Sequence, residues 1–464
     1  MKKIVFISLV LALILSLSSA TAIANEEYSP IDLSFDGYYR ARWINQGLER
    51  YGGSKRFSYF QQRLRLEPKL QISEEAKAQL QVDLLDNVIW GDNTEEASFF
   101  SGTPSGYNND GDESDYLVVK QAWGEAVTPL GLVRVGRQAA NWGMGIYHND
   151  GDGFDDDWGD NHWGDTVDRI LVAVKYLDFY IIPIYDKVVE GPLHSASSTD
   201  NYLNGDVDEY IIGLLYKKEE TRGGFYLVNR KQKRSTGANT WLYDLYGQYK
   251  LGPIKLEAEA LIVNGDLSID SELGGQGKVD ISNMLGGAVK GDCPVGPTVL
   301  GLEAGFATGP SENESWGATP IIVNGTTKSL LVPTGTQLRE FFFDPDYNVA
   351  LILFEEYGNK DLNGRTAVSN AVYVKPTFRY SFQELFTALS SLTWAWAEKK
   401  VNYQGGKKAN NLGIEVDLGV FGEIADMAEV GLQFGYLFPG DVFKDAEGDK
   451  KGAYALQLRF TTAF

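Results

Sequence analysis

The chain has 464 residues, with 63 acidic against 42 basic side chains and a net charge of −21, which argues against a nucleic-acid partner. Cys293 is the only cysteine, so no disulfide can form within the chain, and no CxxCH haem-attachment sequence occurs. Gly (51), Tyr (25), Phe (23) and Trp (10) are abundant and no Pro/Ser-rich linker interrupts them, so a single large domain is expected.

The first residues, MKKIVFISLVLALILSLSSATAIAN, set Lys2 and Lys3 before an apolar run from Ile4 to Leu17 and end in the A-x-A of Ala22 and Ala24. This reads as a secretory signal peptide, residues 1–24, whose apolar core is too short to span a membrane as a helix. Residues 25–464 are the exported domain.

Beyond it a two-residue period begins. In Ile31 to Trp43, Leu33, Phe35, Gly37, Tyr39, Ala41 and Trp43 fall on one face, and Asp32, Ser34, Asp36, Tyr38, Arg40 and Arg42 on the other. Such alternation predicts a strand with one apolar and one polar side. It recurs at Gln62 to Ile72, where Leu64, Leu66, Leu70 and Ile72 oppose Arg63, Arg65, Glu67, Lys69 and Gln71. It recurs again at Ala76 to Leu84, Ile254 to Ile262, Leu412 to Val420 and Val430 to Phe438. Short junctions follow Ser73, Thr128, Leu177, Glu219, Gly252, Asp292 and Gln383; the one at Asp292 to Gly296 is expected to place Cys293 in a turn. Between them lie long acidic or Gly-rich stretches at Asp86 to Asp115, Gly143 to Val167, Lys187 to Val207 and Thr308 to Asn370. The chain closes on AYALQLRFTTAF, with Tyr454, Leu456, Leu458, Phe460 and terminal Phe464 on one face.

A soluble sandwich would also alternate, but about eighteen such segments are more than a sandwich carries, and the alternation of short and long connections is that of an outer-membrane β-barrel. An all-β transmembrane antiparallel barrel in a Gram-negative outer membrane is therefore expected, with short periplasmic turns and long extracellular loops. Lipid tolerates no open sheet edge, so the strands must close. Trp43, Trp241, Tyr249, Trp394 and Trp396 would serve as interface girdles, and the C-terminal Phe resembles the signal read by the barrel-assembly machinery. Lipid, lipopolysaccharide and that machinery are the expected partners of a monomer.

On the polar face of this pattern, Arg40, Arg42, Arg63 and Arg65 sit at mid-depth on adjacent strands. Arg169 and Arg230 are expected at similar height on other walls, and Arg459 lower on the last strand, which closure makes a neighbour of the first. A planar, permanently charged guanidinium suits carboxylate or phosphate, so such a belt favours anions. The competing reading pairs these arginines with lumenal Asp36, Glu67, Asp83, Glu257, Glu259, Glu415 and Asp417. Arg137 points to lipid if alternation from Val133 and Val135 is strict, and inward only if Gly136 allows a bulge.

The connection Thr308 to Asn370 is too apolar for a free loop of its length. Phe341 to Tyr357 is expected to fold into or across the barrel mouth as a constriction or plug; an extra hairpin in the wall is the alternative.

The stretch HNDGDGFDDDWGDNHWGDTVDR, His148 to Arg169, packs eight Asp and two of the three His into 22 residues. It fails as an EF-hand, as does NNDGDESD at Asn108 to Asp115, because acidic residues and Gly miss the required positions. The strand map makes His148 to Asp165 an acidic external loop, open to adventitious Ca²⁺ or Mg²⁺ but with no resident cofactor. A zinc site from His148 and His162 is a minor alternative, as is a rim hydrolase using His148, His162, His194 and Ser195. No catalytic or metal-binding residue is assigned.

Several stretches resemble the alginate export family of outer-membrane barrels, taken broadly: VGRQAANWG (Val135 to Gly143), GDTVDR (Gly164 to Arg169), FDPDYNVALILFE (Phe343 to Glu355), LGIEVDLG (Leu412 to Gly419) and GYLFPGDVF (Gly435 to Phe443). The best-known member carries an anionic polyuronate through an arginine-rich constriction, so the resemblance implies an eighteen-stranded monomeric passive conduit for an anionic or carbohydrate substrate; residue matches are confined to the GRQ and VDR triplets. The expected function is a porin for small hydrophilic solutes, not an enzyme. A sleeve for an electron-transfer partner is the alternative.

Overall fold

The computed structural model describes residues 31–50, 53–90, 117–151, 158, 164–189, 206–233, 236–269, 277–312, 314, 316–323, 326–333, 335–355, 359–360, 366–382, 385–402, 407–444 and 448–464. The signal peptide lies outside these residues, as do His162, His194, Ser195 and the 108–115 stretch. In chain order the strands are β1 (Asp32–Arg50), β2 (Gly53–Ser73), β3 (Ala76–Ile89), β4 (Leu117–Thr128), β5 (Gly131–Ala139), β6 (Thr166–Tyr176), β7 (Phe179–Val189), β8 (Asp206–Lys218), β9 (Thr221–Lys233), β10 (Thr236–Leu251), β11 (Ile254–Ile269), β12 (Gly277–Val295) and β13 (Thr298–Ala307). Then come β14 (Trp316–Val323), β15 (Thr326–Pro333), β16 (Gln337–Leu338), β17 (Asn359–Lys360), β18 (Thr366–Ala367), β19 (Ala371–Phe382), β20 (Phe386–Asn402), β21 (Lys408–Ala425), β22 (Ala428–Pro439) and β23 (Ala453–Ala463).

Strands β1–β13 and β19–β23 form one antiparallel wall, and β1 pairs with β23 from Tyr38–Ala463 to Gly47–Tyr454, so the eighteen-stranded sheet has no open edge. Closure is what a membrane demands of strands, because an unpaired backbone group in hydrocarbon costs several kcal/mol. The outside is apolar: Ile170, Ile181, Ile212, Leu245, Leu302, Leu418 and Leu432 are 48–63% exposed, whereas inward Asp83, Asp244 and Asp417 are 0% exposed. That inversion of a soluble protein's pattern follows directly from the two-residue period. No described helix is long and apolar enough to cross a membrane.

Eight short turns join strand pairs at one end. Leu177, Glu219 and Met427 adopt φ of 54°, 53° and 64° there, as Gly252 and Gly296 do, because a two-residue hairpin matches strand twist only with positive φ. The expected junction at Asp292 to Gly296 is tighter than foreseen: β12 runs to Val295, so Cys293 stands in a strand, not a turn. At the opposite end the connections are uneven. Only residues 51–52 and 234–235 separate β1 from β2 and β9 from β10, while loop 3 (140–165) and loop 7 (308–370) are long.

Loops 3 and 7 both enter the barrel. Ile146 and Trp158 of loop 3 and Phe341, Phe343 and Val349 to Phe354 of loop 7 are buried in one cluster with inward Ile211, Tyr226, Leu261, Tyr373 and Leu437. The external, solvated placement of His148 to Asp165 is thereby overturned for His148 and Trp158, which are 5% and 1% exposed, while Asn149, Asp150 and Asp165 stay half-buried. A two-residue period says nothing about Ile146 and Trp158, which gain more from the barrel's apolar patches than from water. Within loop 7, β14 and β15 pair only with each other, apart from the wall, and β16 lies parallel to Asp280–Ile281 of β12.

Candidate functional site: an arginine wall facing two inward loops

Strands β23, β1 and β2 bring Arg459, Arg42, Arg40, Arg63 and Arg65 together. Arg40 stands directly opposite Arg63, and Arg42 opposite Arg459. Like charges in directly opposed positions destabilise a sheet, so two such pairs side by side must be offset by their surroundings. Part of the offset is visible. Arg65 donates through Nε and Nη2 to Asp83 at 2.7 and 2.9 Å, and Arg63 through Nε to Asp86 at 2.7 Å. Arg42 donates to Gln61 at 2.6 Å, Arg40 to Asn87 at 3.2 Å, and Arg459 to Glu429 at 3.1 Å while lying 5.4 Å over the Phe421 ring. Among the described residues, and with buried Lys120 of β4, six cations on this wall stand against Asp83, Asp86 and Glu429, a net positive set.

Arg169 and Arg230 do not join it. Arg169 makes a two-pronged bond to Asp186 at 2.7 Å on both arms, and Arg230 reaches Glu209 at 3.1 Å beside loop 3. Arg137, carried by one of the stretches resembling the alginate export family, points outward and pairs with Asp168 at 3.0 Å, both side chains about half exposed. Gly136 has a φ of 128°, yet the β5–β6 register runs through it without a shift.

Of the acidic residues expected to neutralise the belt, only Asp83 does so. Asp36 pairs with Lys69, and Glu67 accepts from Gln81. Glu259 and Glu415 instead hold the loops. Glu259 accepts the Met144 N–H, and Glu415 accepts the N–H groups of Ile352 and Leu353 at 2.8 and 2.6 Å. Backbone donors in a loop folded into a barrel have no water and no ladder to serve them, so wall carboxylates supply the acceptors.

The loops also grip each other. Asp344 N–H donates to the Ile146 carbonyl at 2.7 Å and Gly164 N–H to Asp346 at 2.6 Å. His148 lies between Asp165 at 2.9 Å and Glu209 at 3.5 Å. Burial alone would lower the His148 pKa, but the bonds and charges of Asp165 and Glu209 outweigh it and push the value up to about 10. The imidazole is thus a cationic strut between loop and wall, and among the described residues no cluster suited to a metal ion occurs. The Asp344 carboxyl is pushed upward by its burial and by Asp165 and Asp346.

Between the loops and the wall remains a cavity of about 410 Å³. Lys290, Lys375 and Arg379 line it from β12 and β19, with Glu257, Glu303, Trp158 and Tyr347. These cations went unread in the sequence although Lys290 lies inward by simple alternation with Val289, which is 50% exposed.

No family model matches the chain, and no curated protein matches it. Solved structures do. The chain is similar to OpdK of Pseudomonas aeruginosa solved with vanillate (11% identity, TM-score 0.52), to OccK9 (OpdG) of the same species (11%, 0.54) and to its OccK8 (OprE) (12%, 0.51). In each case 93% of this chain and 98% of the other are covered. The likeness covers 93% of the chain and shows its architecture alone: a closed eighteen-stranded antiparallel β-barrel.

Proposed function

We propose that the protein is an outer-membrane channel for passive diffusion of small hydrophilic solutes, with a preference for anions. The observation that carries this reading is the net-positive wall of Arg40, Arg42, Arg63, Arg65 and Arg459. Fixed guanidinium groups in a confined lumen lower the energy of a carboxylate or phosphate and raise that of a cation. Arg169 and Arg230 lie along the same lumen, tied to acidic partners. Loops 3 and 7 act as a plug that narrows the path and directs solute along the arginine wall. On this reading the chain works as a monomer without a bound cofactor, in contact with lipid and lipopolysaccharide. One solved relative in fold was crystallised with vanillate, a carboxylate, which is compatible with a carboxylate permeant here.

Planar-bilayer recording across a salt gradient tests the reading. The reversal potential should report anion preference, and changing Arg40, Arg42, Arg63 and Arg65 to Gln should abolish it. Cation selectivity of the wild-type channel would refute the reading.

A further inference from the structure

Each inward loop is seated by the same arrangement. On β10 and β11, Asp244 and Glu259 are buried at 0% and 2% exposure and lie within hydrogen-bonding reach of each other. The Trp142 indole N–H of loop 3 faces Asp244 without reaching hydrogen-bond geometry, so neither Asp244 oxygen has a fully made bond, and Glu259 spends one oxygen on the Met144 N–H of loop 3. On β21, Glu415 and Asp417 are likewise adjacent and 0% exposed. Glu415 spends both oxygens on Ile352 and Leu353 of loop 7, and one Asp417 oxygen has no donor.

Two ionised carboxylates cannot lie against each other in a buried site without a cation between them or a proton shared by them. A shared proton makes one carboxyl the donor that the other lacks, and it leaves a single negative charge to hold the loop's N–H groups. We infer that Asp244 and Asp417 are positioning residues: each shares a proton with its neighbouring glutamate, and that proton keeps the plug seated. This rests on the proposed conduction past the plug. Loss of the proton puts two charges side by side beneath the loop, and the strain is relieved when the loop leaves and water enters.

The groups facing the first pair are His148 and Tyr347 from the two loops and Tyr246 from β10; Lys375 of β19 faces the second. Asparagine mimics a protonated aspartate and cannot titrate. The test therefore compares single-channel records of the wild-type protein and of an Asp244→Asn, Asp417→Asn double variant from neutral to alkaline pH. His148 and Asp344 titrate in both proteins, so the difference belongs to the two pairs. In the wild type the open-to-closed ratio should climb with pH about tenfold per unit for each proton released, and the slope should be shallower in the variant. Superimposable pH profiles overturn the inference. Infrared difference spectra of the same two proteins provide a readout independent of conduction: the wild type should lose protonated-carboxyl absorbance on alkalinisation that the variant lacks from the start. Equal spectra would also overturn it, whereas a silent channel with the expected spectra would count against the transport reading alone.

Discussion

Arg65 and Asp83 face each other across β2 and β3 with a two-pronged bond of 2.7 and 2.9 Å, at 2% and 0% side-chain exposure. Removing one partner of such a pair leaves a buried charge uncompensated, which typically costs about 3 kcal/mol or more. An Asp83→Ala barrel should therefore unfold at lower urea than the wild type, and its reversal potential should move toward stronger anion preference because Arg63 and Arg65 lose a counter-charge. An unchanged midpoint would mean that solvent or ions reach the pair and screen it.

Loop 7 owes its place to buried apolar side chains as well as to Glu415. Deleting Ser329 to Tyr357 removes Phe341, Phe343 and Val349 to Phe354 from the lumen. Single-channel conductance should rise. A folded barrel with the original conductance would show that the path runs elsewhere.

Gly286 offers a milder intervention. A Cβ added there falls within the Phe341 ring, 2.6 Å from Cδ1, whereas one at Gly247 on the outer face meets nothing. Gly286→Val should unseat the Phe341 end of loop 7 and expose it to protease while the barrel keeps its resistance to detergent. Gly247→Val serves as the silent control, and equal protease resistance in the two would show that the ring simply moves aside.

His148 gives loop 3 a pH dependence with a definite sign. Its folded pKa of about 10 lies above the unfolded value of about 6.5, so its stabilising contribution is whole below the lower value and is lost as pH rises through the upper. Hydrogen exchange at residues 144 to 150 should quicken over that window. In a His148→Gln protein this part of the pH dependence should be missing; if it persists, the imidazole is not the titrating strut.

The outward pair Arg137–Asp168 should matter little. Both side chains are about half exposed, and exposed ion pairs contribute up to about 1 kcal/mol. Arg137→Ala should leave selectivity and the unfolding midpoint close to wild type. A lost anion preference would place this residue in the permeation path after all.

The barrel wall is legible in local alternation. A two-residue period needs no distant information: Leu64 and Leu66 face lipid and Arg63 and Arg65 face inward because successive Cβ atoms point to opposite sides of a strand. The same local rule, with closure required in lipid, also turned the arginines of β1, β2 and β23 to one wall and sent Arg137 outward, but the register of closure sets Arg459 level with Arg42 rather than lower. Which charges neutralise which, and what fills the barrel, depends on contacts between distant parts of the chain. Asp83 meets Arg65, whereas Glu259 and Glu415 meet loop backbone; the alternation is identical for all three, so periodicity cannot tell them apart. Nor does the acidic run around His148 reveal that Ile146 and Trp158 will carry it inward. That outcome depends on loop 7 offering Phe343 and the wall offering Tyr226 and Gly419, contacts between residues far apart in the chain.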